Sequence, residues 1–231
     1  ETEKLGVLDD TGEAPPLDGP RSTGELLRKL AAEHGTLLVE NGIPIGVDRG
    51  GYTLALEPGG QLELSGSPTF SVTEAAHEIE EHLARVKALG DPLGLAFLAT
   101  GYRPFGDRAR VPWLPRGRYA LMKAKLGGFL AHDMMQLTAS VQANFDFEDE
   151  ADLAAKVSTA TAISPLVAAL AANSPLRDGA LSGEKSFRYR LWRDVDAHRC
   201  GLLRFMFEPG FTYDAYVDWA VHVPLLFVRR D

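Results

Sequence analysis

Two glutamates open the chain as Glu1-x-Glu3, and two more bracket a glycine turn in Leu56-Glu-Pro-Gly-Gly-Gln-Leu-Glu-Leu-Ser-Gly66. Side chains two apart on a strand share a face, so Glu1 and Glu3 could share one divalent cation; unshared, they repel. Glu57 ends one apolar run, Glu63 alternates with Leu62 and Leu64 in the next, and Gly59-Gly60 between them permits a tight turn. Surface charge at a chain end and a solvated hairpin give the same two patterns, and spacing alone does not choose. From Leu137 to Phe147 the odd positions are all apolar, whereas Thr138, Ser140, Gln142, Asn144 and Asp146 are polar. That alternation predicts a strand with one dry face and one hydrogen-bonding face. Gln142 and Asn144 offer compact amides suited to orienting a ligand, although such a face can also simply meet water. Arginines cluster at Arg116-Gly-Arg118-Tyr119 and at Arg188, Arg190, Arg193 and Arg199 around Trp192. Guanidinium groups grip carboxylates and phosphates bidentately, and they also serve as plain surface ion pairs.

Acids for Mg²⁺, arginines for anions and an amide-lined strand together point to an ATP-dependent reaction on a carboxylate. No G-x-x-x-x-G-K-[ST] loop and no kinase-type glycine loop occurs, so a nucleotide would be held mainly through metal ions. The six histidines show no metal-ligand spacing; His77 and His82 read as surface groups, and His132-Asp133 as a plain loop. Cys200 is a lone thiol with no base placed beside it.

The elements that must position these groups follow from turn residues and periodicity. A Gly/Pro/Asp-rich loop over 10–24 leads to a helix over 23–34 that buries Leu26, Leu27, Leu30 and Ala31 and stops at Gly35. Short apolar runs at 36–39, 43–47, 52–57 and 61–65, separated by Asn41-Gly42, Gly50-Gly51 and Pro58-Gly59-Gly60, have the spacing of consecutive antiparallel strands. A helix over 73–89 presents Ala76, Ile79, Leu83 and Val86 as its buried stripe, with Glu81 and Arg85 paired on the outside. A buried strand is expected at 94–100, a Pro/Arg-rich loop at 101–118, and an alanine-rich helix at 149–172, bent at Pro165. A polar loop spans 173–186, followed by strands near 202–207 and 224–229 flanking a helix near 212–222. Short strands mixed with long helices, without β-α-β alternation, predict an α+β fold.

At roughly 150 residues per domain, 231 residues make one large or two small domains. The 45% hydrophobic and 24% charged fractions exclude a disordered chain. A net charge of −8 argues against nucleic acid as the main partner. No stretch approaches a membrane span by its run of apolar residues, and a single cysteine rules out an internal disulfide; a soluble protein of the cytoplasm is expected. The chain opens on Glu1 rather than Met, within a patterned segment, as expected of a piece of something longer.

Taken in order, these motifs resemble glutamate–cysteine ligases of the plant and proteobacterial type, carboxylate–amine ligases related in fold to glutamine synthetase. The resemblance rests on Glu1-Thr-Glu3-Lys4, the Glu57–Gly66 string, Arg116-Gly-Arg118-Tyr119, Asp133-Met-Met135, Val141–Phe147, Ala172-Asn-Ser-Pro175, and Arg188 with Trp192, Asp194, Asp196 and Arg199. It implies a curved, mainly antiparallel sheet with helices packed on its outer face. It further implies one catalytic domain over 1–231, lacking an N-terminal helix and a helical C-terminal half. Glu1, Glu3, Glu57 and Glu63 resemble the family's metal ligands. Gln142 and Asn144 resemble its catalytic and nucleotide-side amides, and Arg118 and Arg188 the arginines that hold glutamate; Trp192 and Arg199 would line the same pocket. The implied reaction joins the γ-carboxylate of L-glutamate to the amine of L-cysteine through a γ-glutamyl phosphate, with ATP as co-substrate and two or three Mg²⁺. The implied partners are small molecules, with no nucleic acid or membrane, and the chain would work as a monomer or homodimer. A ligase of the same fold with another amine acceptor, and a non-catalytic fragment that binds glutamate or nucleotide, remain alternatives.

Overall fold

The computed structural model of the chain describes residues 1–126, 129–196 and 198–228. Its sheet is built from β1 (Thr2–Leu8), β2 (Thr36–Glu40), β3 (Ile43–Asp48), β4 (Thr53–Leu56), β5 (Leu62–Ser65) and β6 (Leu95–Leu98). The spatial order is β2-β3-β4-β5-β1-β6, and every neighbouring pair is antiparallel. Asn41 and Gly42 both take positive φ where β2 turns into β3, the backbone that a two-residue hairpin needs. The strands expected between 36 and 65 thus form nearly where turn chemistry puts them. β1 divides its pairing: Thr2, Glu3 and Lys4 face Leu64, Glu63 and Leu62 of β5, while Leu5 to Leu8 face Leu98 to Leu95 of β6.

Alternation gives the sheet two different faces. Leu54, Leu56, Leu62 and Leu64 point to one side, where helix α1 (Thr23–Glu33) lays Leu26, Leu27 and Leu30 against them and helix α2 (Val72–Gly90) adds Val86. All seven leucines are essentially inaccessible. At about 2 kcal/mol per fully buried leucine, this layer supplies on the order of 15 kcal/mol of gross hydrophobic stabilisation. It makes a stiff backing for the opposite face, which carries Glu3, Glu63 and Ser65. α1 starts where expected, with the Ser22 hydroxyl accepting from the Glu25 amide at 2.9 Å, and Gly35 follows it at φ +121°.

α2 is rotated from its expected orientation. Val86 is buried and Ile79 half-buried, but Ala76 and Leu83 face outward, and His82 is turned inward. The Glu81–Arg85 pair does not form. Arg85 instead reaches Glu33 of α1 at 2.9 Å, and Glu81 meets His77 at 3.3 Å. Contact between the two helices, which no single-helix pattern contains, sets the rotation. His82 is consequently a core residue rather than a surface one, and its Nε2 has no hydrogen-bond partner. Lys4 is buried close by, donating to the carbonyl and hydroxyl of Thr2 at 3.1 and 3.0 Å. Burial, with Lys4, Arg49 and Arg85 around it, depresses the His82 pKa to about 3.

Helices α3 (Gly117–Lys125), α4 (Phe129–Leu137) and α6 (Phe187–Asp194) border the acid-bearing side, so helices flank both faces rather than only one. His132 and Asp133 lie on α4, not in a loop. Of the expected strand 137–147, Leu137 ends α4, and residues 138–147, which lead to the long helix α5 (Glu150–Leu170), make only isolated bridges. The first half of this segment lies along β1, through the Thr2–Val141 bridge, the Glu3 amide on the Ser140 carbonyl and the Gln142 amide on the Glu1 carbonyl. Leu137 and Ala139 are buried, whereas residues 141–147 are all exposed, so the alternation is real but its apolar side is dry only at the beginning. α5 also corrects the membrane expectation, since its length and composition alone would let it cross one. No uninterrupted apolar run marks it, because Lys156, Ser158, Thr159, Thr161 and Ser164 break the sequence, while its average over 18 residues stays apolar. Pro165 sits inside α5, which continues to Leu170.

The expected loop 173–186 contains a small hairpin, β7 (Leu176–Arg177) and β8 (Ala180–Leu181), turned by Asp178 and Gly179 at positive φ. The strand expected near 202–207 is a 3₁₀ turn over Arg204–Phe207, and α7 (Tyr213–His222) follows as expected. Residues 224–228 form no strand, and residue 229 of that expectation lies outside the described residues. The α+β assignment stands, with a mostly antiparallel sheet.

His82 provides a test of this packing. A histidine whose pKa falls on folding contributes stability above its unfolded value of about 6.5 and loses it as pH drops toward about 3. Between those limits the cost approaches about 1.4 kcal/mol per pH unit. Urea unfolding across this range should show a shallower acid slope for His82→Leu than for the parent chain. Equal slopes would contradict the buried neutral imidazole.

Candidate active site

Three of the carboxylates meet. Glu3 and Glu63 are directly opposed across β1 and β5, and Glu57 follows the end of β4 beside them. One oxygen from each lies within 4.8 Å of the other two. At an effective dielectric near 20, like charges at that separation repel by about 3 kcal/mol per pair. Burial raises the pKa of Glu3 and of Glu57, and the charge of Glu63 adds to the effect in both. Hydrogen bonds offset only part of this. The Ser140 hydroxyl donates to Glu3 Oε2 at 2.7 Å, and the Ser65 hydroxyl donates to Glu63 Oε1 at 2.7 Å. A half-buried set of three hard oxygen donors whose repulsion is only partly relieved fits a divalent cation.

The turn that carries Glu57 is held from outside. Its Gly60 amide closes on the Glu57 carbonyl at 2.8 Å, with Gly60 at φ +77°. Gln61 is buried and fully used: its Oε1 accepts from the Gly59 amide at 2.7 Å, and its Nε2 donates to the carbonyls of Met135 and Thr138 at 3.0 and 2.9 Å. Gly59 packs so closely on the C-terminal end of α4 that a Cβ there would collide with the Gln136 carbonyl. The Pro-Gly-Gly-Gln run is therefore a docking device between the sheet and α4. α4 is pinned in turn by Asp133, fully buried, which pairs with Arg108 and accepts from the Tyr102 hydroxyl at 3.4 Å. Spacing did not reveal Gln61 or Asp133. A glutamine beside paired glycines and an aspartate on an apolar helix were the available signals.

Glu3 and Glu57 open onto a cavity of about 500 Å³, within the range of small-ligand sites. Arg118 and Tyr119 of α3, Met134 and Met135 of α4, and Arg188 and Trp192 of α6 form its walls. Arg188 lies over the Trp192 ring, 5.7 Å from its centre, and its Nε is buried without a partner. Arg118 donates to the Tyr119 hydroxyl at 2.9 Å, and that hydroxyl donates to Glu57 Oε2 at 3.3 Å. Carboxylate oxygens able to hold a cation thus face two guanidiniums able to hold an anion across one space. A second cleft of about 550 Å³, between the start of α5 and the approach to α7, is slightly larger; its wall carries Glu150, Glu208 and Asp214 and no basic residue.

The remaining expected residues are less closely gathered. Gln142 borders the cavity and donates to the Ser140 hydroxyl at 3.0 Å. Asn144 is exposed outside it and donates to Glu1 at 3.2 Å, so Glu1 and Asn144 form a pair at the rim. Glu1 is not part of the three-carboxylate group. Arg199 lies apart from the cavity wall, bound to Asp196 and to the Pro224 carbonyl.

Comparison with known families and proteins follows the same outline. The model of glutamate-cysteine ligase family 2 matches residues 1–231. The chloroplastic glutamate–cysteine ligase of Medicago truncatula is 42% identical over 188 residues, 80% of this chain and 37% of that protein. Glutamate–cysteine ligase A of Oryza sativa subsp. indica, also chloroplastic, is 40% identical over 196 residues, 84% of the chain and 40% of the relative. The Arabidopsis thaliana chloroplastic enzyme is 40% identical over 188 residues. The chain spans about two fifths of the length of these relatives. The chloroplastic names of these relatives overturn the expected cytoplasmic location.

Two outcomes test the site. Raised carboxyl pKa values mean that protonated Glu3 and Glu57 favour folding at low pH, and that this contribution is lost as pH rises through those values. Mg²⁺ should therefore raise the melting temperature more at neutral than at acidic pH, and Glu63→Gln should abolish the Mg²⁺ effect while leaving the metal-free protein at least as stable. Gly59→Ala should cost about 2–3 kcal/mol in chemical unfolding through overpacking against α4, more than the ~1–2 kcal/mol of left-handed strain from Gly60→Ala.

Proposed function

Because the chain belongs to glutamate-cysteine ligase family 2, we propose that it carries the nucleotide- and glutamate-binding part of an ATP-dependent ligase that joins the γ-carboxylate of L-glutamate to the amine of L-cysteine. The observation that carries this reading is the single cavity in which Glu3 and Glu57 face Arg118 and Arg188. The family implies ATP, a divalent cation and small-molecule substrates. We assign the cation as Mg²⁺ and its protein ligands as Glu3, Glu57 and Glu63, with Glu1 and its partner Asn144 at the rim. The antiparallel sheet with acids on one face is consistent with a glutamine synthetase-like catalytic fold.

Mg²⁺ bound to these oxygens would offset triphosphate charge and the charge that develops during phosphoryl transfer. The chain's own groups do the rest. Arg118 and Arg188 hold the carboxylates of glutamate, Arg188 kept rigid by its stack on Trp192. With the substrate so fixed, the γ-carboxylate is turned toward the γ-phosphate, and orientation replaces a bimolecular encounter. Phosphorylation makes the carboxylate an acyl phosphate; the amine of cysteine attacks its carbonyl carbon, the C–O bond to phosphate breaks, and the amine loses a proton. Gln142, bordering the cavity, offers its amide to the transferring group.

The full-length protein should release ADP only when L-glutamate, L-cysteine and Mg²⁺ are all supplied, and Glu63→Gln should lower that rate at least about 100-fold while remaining folded. ADP release with glutamate and an amine other than cysteine would reassign the acceptor. Binding without any amine-dependent ADP release would sink the ligase reading.

A further inference from the structure

Tyr119 has no assigned part in the reaction, yet among the described residues it is the one side chain bonded both to an acid of the three-carboxylate group and to an arginine of the cavity wall. It is 3% exposed. Its hydroxyl accepts from Arg118 Nη2 at 2.9 Å and donates to Glu57 Oε2 at 3.3 Å. A guanidinium can only donate and an ionised carboxylate can only accept, so the phenol proton has one direction available to it. The ring is fixed as well. The Arg118 guanidinium lies 4.8 Å from its centre and that of Arg116 lies 5.7 Å from it. Arg116 is itself tied to Glu40, at the end of β2, at 3.3 Å. Ring, hydroxyl and both partners are thereby held in one arrangement.

We propose that Tyr119 is a positioning residue that couples cation binding at Glu57 to binding of the anionic substrate at Arg118. The inference rests on the ligase reading of this cavity. A cation that immobilises the Glu57 carboxylate also immobilises the phenol and, through it, one edge of the Arg118 fork. The opposite edge of that fork is left oriented for a carboxylate. Glutamate bound at Arg118 acts in reverse, presenting Glu57 already oriented to the cation. Such coupling is reciprocal: the factor by which one ligand tightens the other is the same in both directions.

Calorimetric titration of the full-length protein, without ATP and therefore without turnover, measures both arms. Mn²⁺ is titrated with and without saturating L-glutamate, and L-glutamate with and without Mn²⁺. We expect each ligand to tighten the other by about fivefold or more, the lower end of ordinary coupling. Tyr119→Phe keeps the ring in place and removes only the hydroxyl, and it should bring the factor close to one while both ligands still bind. Should that variant fail to fold, Glu40→Gln, outside the cavity, releases Arg116 from its anchor and should lower the factor in the same direction. An unchanged factor in the variant that folds, with both ligands binding, overturns the coupling and leaves the ligase reading intact. Failure of the parent protein to bind either Mn²⁺ or L-glutamate overturns both.

Discussion

Three carboxylates confined within 4.8 Å of one another set the terms for the rest of this structure. Left to themselves they would separate or take up protons, since each ionised pair at that distance costs about 3 kcal/mol. They are kept together by backbone, not by mutual attraction. Glu3 and Glu63 are fixed by strand pairing, and Glu57 by a turn that cannot relax without moving a helix. The leucine layer under α1 and α2 provides the stiffness, because shifting any of these strands would disturb a face from which water is excluded. The sheet can be polar on one side because it is so thoroughly apolar on the other.

The apolar side is not uniform. Lys4 and His82 lie within it, on the reverse of the strand that presents Glu3. Burial lowers the Lys4 pKa to about 8, while the charges of Glu3 and Glu63 act in the opposite direction. A buried ammonium behind the acids offsets some of their repulsion, and a neutral imidazole nearby adds no second charge. This division of charge across one strand is an electrostatic counterpart to the division of polarity across the sheet.

Around the acids, positioning passes through a short series of bonded groups. Gln61 fastens the Glu57 turn to α4, Asp133 fastens α4 to the preceding loop, and Tyr119 fastens Glu57 to Arg118. Each of these side chains satisfies two or more partners, which is how a short polar residue can fix a geometry in a poorly solvated place. Arg188 differs in keeping a buried Nε without a partner while its guanidinium rests on Trp192.

Local chemistry along the chain determined a good deal. Ser22 stops a loop and starts a helix, Asn41-Gly42 reverses a strand, and period-two alternation puts Glu3 and Glu63 on the side opposite Lys4 and Leu64, all through interactions that span a few residues. The same alternation correctly grouped Ser140, Gln142 and Asn144 on the acid side. What depended on distant neighbours was decided only by the tertiary structure. Packing of α2 against the sheet and α1 buries Val86 and His82 rather than Leu83, and leaves Arg85 to pair with Glu33 on the surface. The sheet pairs with the expected 137–147 strand only as far as Gln142, leaving Phe145 and Phe147 exposed beyond it and Val141 exposed although it bridges to Thr2. Of four glutamates that looked equivalent in sequence, register and turn geometry brought three together and left Glu1 with Asn144, because charge clustering is a property of distances through space rather than along the chain.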